Sequence, residues 1–138
     1  MEPPVKRRLS RREAQDLDIE IQFLERLVDR DPGYVEALEA LGDAYGLRGR
    51  SADGLAIDER LRTLRPGDPV IRFNLACSLA LIGEPERACR ELEHALDLGF
   101  RDFRSLQRDP DLASARKHPA FHRVNAKVSA LTTSHPPA

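Results

Sequence analysis

His118 and His122 are the two side chains whose spacing most resembles a metal site. Four residues apart, they would share one face of a helix, as pairs of zinc-binding imidazoles do. A site also needs a third and a fourth ligand, and only Asp109 and Asp111 lie near in sequence. His118 precedes Pro119 and reads as a helix cap. His94, among Glu91, Glu93 and Asp97, reads as part of a solvated face. Cys77 has no neighbouring histidine or cationic cluster to lower its pKa, and Cys89 follows the small Ala88. Both cysteines read as packing residues. The chain has no glycine-rich phosphate loop, no nucleophile elbow and no paired carboxylates in a catalytic setting. No enzymatic activity, cofactor or metal is expected.

Charge is the next source of chemistry. Residues 1–12 carry a net +4 through Lys6, Arg7, Arg8, Arg11 and Arg12 against Glu2. Residues 13–43 carry −8, the remainder carries +3, and the whole chain carries −1. A protein devoted to nucleic acid is expected to be basic overall, so nucleic acid is an unlikely partner. The basic cluster keeps open a contact with RNA or an anionic surface, but no aromatic residue is interleaved for base stacking. Two cysteines are too few for a disulfide-rich secreted domain. There is no apolar run long enough to span a membrane and no apolar stretch behind the basic N-terminus to form a secretory signal. A cytoplasmic location is expected.

The elements that position these groups follow a period of 34 residues. Pro32, Pro66 and Phe100 form one column, and Leu27, Leu61 and Ala95 another. Leu41 pairs with Leu75, Tyr45 with Leu79, Gly54 with Ala88, and Gly49 with Gly83. A repeat of this length is the mark of paired helices stacked side by side. Apolar steps of three and four predict helices over 11–31, 34–47, 51–64, 69–82 and 85–99. Ser51 is expected to cap the third and Asp68, before Pro69, the fourth. Shorter helices are expected near 102–107, from Asp109-Pro110 to Lys117, and from Pro119 to about Leu131. Residues 1–12 read as a flexible basic terminus and 132–138 as a disordered tail.

In this register the chain resembles the tetratricopeptide repeat family. Leu41-Gly42, Tyr45, Gly54 and Pro66 match its motif in the unit 35–68. Leu75-Ala76, Leu79, Gly83, Ala88, Leu92 and Ala95 match it in the unit 69–102. Arg72 stands where the family has a large apolar residue, Asp58 where it has an aromatic, and Phe100 where it has a proline. The segment from Gly99-Phe100 to His118-Pro119-Ala120-Phe121 looks like the degenerate end-unit that closes many bacterial arrays. The resemblance implies an all-α, right-handed solenoid of helical hairpins over residues 13–131. It would comprise an N-terminal helix, two full repeats and an irregular cap at 103–131.

The resemblance also implies a concave groove lined by the first helix of each repeat. Glu36, Glu39, Ala40, Asp43 and Leu47 would face it from the first repeat, and Val70, Phe73, Asn74, Cys77 and Leu81 from the second. Arg104 and Arg108 would follow if the third unit keeps register. Phe73 is the expected aromatic anchor, having no evident core duty. Some family members clamp a peptide carboxylate at positions that fall here on Glu39, Asp43, Asn74, Arg104 and Arg108. The last three suit an anion, but the first two are reversed in sign, which argues against that ligand. The expected function is an adaptor or scaffold that holds a protein or peptide segment. Self-association through exposed helix faces stays open, and the oligomeric state is left undecided.

Overall fold

The computed structural model describes residues 8–133. Among them every regular element is helical, and the chain divides at Pro66 into two compact units. No helix among these residues is long and apolar enough to cross a membrane.

The first unit contains α1 (Arg11–Arg30), α2 (Val35–Arg48) and α3 (Ser51–Leu64). A capping box opens α1. Ser10 Oγ accepts from Glu13 N–H at 3.1 Å, and Glu13 Oε1 accepts from Ser10 N–H at 3.1 Å. Leu17, Ile21, Leu24 and Val28 recur at helical spacing and are buried. Asp31, Pro32 and Gly33 then stop the helix, and α2 returns along it. Gly54 is buried in α3, where a Cβ would meet the Tyr45 Cβ at 3.8 Å. Ser51 does not cap α3. It is the first helical residue, and Arg50 holds the cap position while its side chain turns to Asp53 at 2.8 Å.

The second unit contains α4 (Pro69–Leu81), α5 (Pro85–Asp97), α6 (Phe103–Arg108), a 3-10 turn (Pro110–Leu112), α7 (Ala113–Lys117) and α8 (Phe121–Thr133). Asp68 caps α4, its Oδ1 accepting from Val70 and Ile71 N–H at 2.9 and 3.3 Å, with Pro69 in the first turn. α5 packs along α4, and the later elements cover this pair. Ser114 Oγ donates to the Ala80 carbonyl at 2.9 Å, and Lys127 pairs with Asp97 at 2.7 Å. Arg116 holds the bend after α6 by donating to the carbonyls of Leu106 and Asp109. Thr132 and Thr133 belong to α8, so the helix runs two residues into the expected tail. Residues 134–138, like Lys6 and Arg7 of the basic cluster, lie outside the described residues.

The glycine columns have one physical cause. Gly49, Gly83 and Gly99 adopt φ of +80°, +87° and +110°, a left-handed turn that costs glycine nothing. Each lets the next residue close the preceding helix: Arg50 N–H to Tyr45 O, Glu84 N–H to Leu79 O, and Phe100 N–H to Ala95 O.

Candidate functional site

On α2, Glu36, Glu39 and Asp43 are exposed, and Leu47 stands 63% open to solvent. Their spacing places them on one side of the helix, away from the buried Leu38, Leu41 and Tyr45. Asp43 is open to solvent, yet the protein around it desolvates the carboxyl enough to raise its pKa.

On α4, Val70, Asn74 and Leu81 are exposed. They follow one another at helical spacing and offer an amide between two apolar side chains. Cys77 shares that stripe in sequence but is buried. Phe73 is buried as well and does have a core duty. Its ring stacks on Phe100 with centroids 4.5 Å apart and planes 10° from parallel. Phe100 arrives from the turn after α5, a contact that spacing along α4 alone does not reveal.

Arg104 and Arg108 are exposed one turn apart on α6, with Leu106 buried between them. Their side chains make no hydrogen bond or salt bridge among the described residues, although the Arg104 charge helps lower the Asp102 pKa, after the hydrogen bonds from Ser105. Both guanidinium groups are therefore available to an anion.

The residues considered for other chemistry have ordinary structural roles. His118 closes α7 and its Nδ1 accepts from Ala120 N–H at 3.0 Å. Among the described residues no three His, Cys, Asp or Glu side chains gather to hold a metal ion. Cys89 is fully buried and its Sγ donates to the Ala115 carbonyl at 3.5 Å. Burial first, and then Glu93 and Glu86, push that thiol from 9.0 to about 11.

The structure also exposes apolar residues that the repeat register passed over. Ile19 and Phe23 on α1 are 66% and 62% exposed. Their sequence signal is an apolar pair offset by two from the buried positions Leu17 and Ile21.

No protein-family model matches the chain. A 52-residue stretch, 38% of the chain, is 35% identical to a curated chloroplastic protein of Arabidopsis thaliana. The chain spans only 16% of that protein's length.

Proposed function

We propose that this chain is a non-catalytic helical-repeat module of the tetratricopeptide type that holds a segment of another protein. The observation that carries this reading is the exposed, mixed-chemistry side of the first helix in each repeat. α2 presents Glu36, Glu39 and Asp43, and α4 presents Val70, Asn74 and Leu81. The 34-residue period and the shared glycine turn support the repeat reading. Taken by itself, the α2 face of the first unit suits a basic group, and the α4 face of the second suits an apolar, hydrogen-bonding stretch. Helices already packed hold such groups in place, so little ordering entropy is lost on binding. The exposed Arg104 and Arg108 would take an acidic group.

Affinity recovery from native lysate tests this reading. Wild type, Asn74→Ala and the pair Glu39→Lys/Asp43→Lys are compared after melting curves show equal folding. A partner retained by wild type and lost from either variant supports the module. A partner retained equally by all three removes these faces from the account, and recovery abolished by nuclease points to nucleic acid instead.

A further inference from the structure

α1 buries one side against α2 and leaves the opposite side open. Ile19 and Phe23 stand at the centre of that open side, one turn apart. Asp16 and Arg12 continue the stripe toward the N-terminus, and Arg26 and Arg30 toward the C-terminus, all of them exposed. At 1.5 Å per residue the stripe from Arg12 to Arg30 is about 27 Å long.

An apolar pair of this size is ordinary on a protein surface. Its flanks are cationic. Arg48, Arg50 and Arg72 are engaged with carboxylates in the fold. The side chains of Arg12, Arg26 and Arg30 make no hydrogen bond or ion pair among the described residues. Two acids of α1 are held by the fold: Asp18 binds Arg48 at 2.8 Å, and Glu25 accepts from the Tyr45 hydroxyl at 2.6 Å. Along its centre line the outer stripe carries three arginines against the carboxylate of Asp16, with the exposed Glu20 and Asp29 at its borders.

We propose that this stripe docks an acidic amphipathic helix of another protein. Two apolar side chains of that helix would cover Ile19 and Phe23, and its carboxylates would face Arg12, Arg26 and Arg30. Guanidinium forks pair well with carboxylates, and an apolar centre with a charged rim is the ordinary anatomy of such contacts. Charge disfavours a second copy of the chain. The antiparallel twofold pairing that sets Ile19 on Phe23 also sets Arg12 on Arg30. Its Asp16–Arg26 pairs offset only part of that repulsion. A lipid surface is disfavoured because two apolar side chains beside the Asp16 carboxylate are a meagre face for insertion. The stripe is built from residues of α1 alone, and the inference does not depend on the role of α2 or α4.

The probe is a fluorescein-labelled, glutamate-rich helical peptide of about eighteen residues with leucines at i, i+4 spacing. It is titrated with the whole chain at low salt and followed by anisotropy. Binding should weaken about tenfold or more in Ile19→Ala/Phe23→Ala. It should be lost in Arg26→Glu/Arg30→Glu, fall with added salt, be absent for a lysine-for-glutamate peptide, and be unchanged in Asn74→Ala. No binding by wild type up to about 100 μM, or equal binding by the stripe variants, overturns the proposal. So does arginine-dependent binding to phosphatidylserine vesicles in preference to the peptide, or a dimer in sedimentation that Phe23→Ala abolishes.

Discussion

The rings of Phe73 and Phe100 lie 4.5 Å apart and nearly parallel, and this stack joins α4 to the turn that follows α5. Phe100 occupies the slot that Pro32 and Pro66 hold in the two preceding periods. An aromatic replaces the proline where a partner ring waits beneath it. Phe73→Ala should therefore cost about 3–5 kcal/mol, the usual loss for a buried phenylalanine. Urea denaturation measures it. A cost below about 1 kcal/mol, as for an exposed side chain, would contradict the stacked arrangement.

Arg72 and Glu91 form an ion pair within the second unit. Arg72 Nη1 reaches Glu91 Oε2 at 3.0 Å between α4 and α5, with the side chains only 18% and 10% exposed. Removing one partner of a buried pair leaves a charge without its counterpart. Glu91→Ala should cost about 3–5 kcal/mol, whereas Arg72→Leu/Glu91→Leu should be near neutral. A double-mutant cycle by chemical denaturation checks both values.

Tyr45 gives the first unit an alkaline limit. Burial first, and then the hydrogen bond and charge of Glu25, raise its phenol from 10.0 to about 12, against the opposing pull of Arg50. The Arg50 guanidinium carbon lies 4.6 Å from the ring centroid. An unfolded tyrosine ionises at its ordinary value, so between these pH values the unfolded chain loses a proton that the folded chain keeps. The stability tied to this group is full below pH 10 and is lost as pH rises toward 12. Phenolate absorbance should show a tyrosine titrating near 12 that is missing in Tyr45→Phe. The variant should also lose less stability over that interval.

Both thiols should resist modification while the protein is folded. Cys77 and Cys89 are buried, and the Cys89 thiol is pushed up to about 11. A thiol-reactive disulfide reagent near neutral pH should label neither at an appreciable rate until denaturant is added. Rapid labelling of native Cys89 would contradict its burial.

Punctuation made the helices legible. Asp31-Pro32-Gly33, Asp68-Pro69 and the glycines at 49, 83 and 99 are local signals, and local sequence reads them well. The Asp68 cap and the start at Pro69 follow from them directly. Ser51 misled because serine is a good cap in isolation, while here the chain turns into helix one residue earlier. The α4 face was harder. Val70, Asn74 and Leu81 are exposed as spacing suggests, but Phe73 is covered by Phe100 from beyond α5, and Cys77 is buried. Helical periodicity assigns a side of a helix; it does not say what arrives to cover that side. Ile19 and Phe23 were missed because the buried stripe of α1 accounts for the helix without them.

The central claim is that the exposed face of α4 touches a protein ligand. Its most direct test is a photo-crosslinking amino acid placed at Asn74, with the same residue placed at the exposed Arg90 of α5 as a control. The account predicts a discrete protein adduct from position 74 that is absent from position 90 and is reduced by Val70→Ser/Leu81→Ser on the same face of α4. Adducts of equal yield at both positions, or none at 74 in cells where the folded chain recovers a partner, would contradict it.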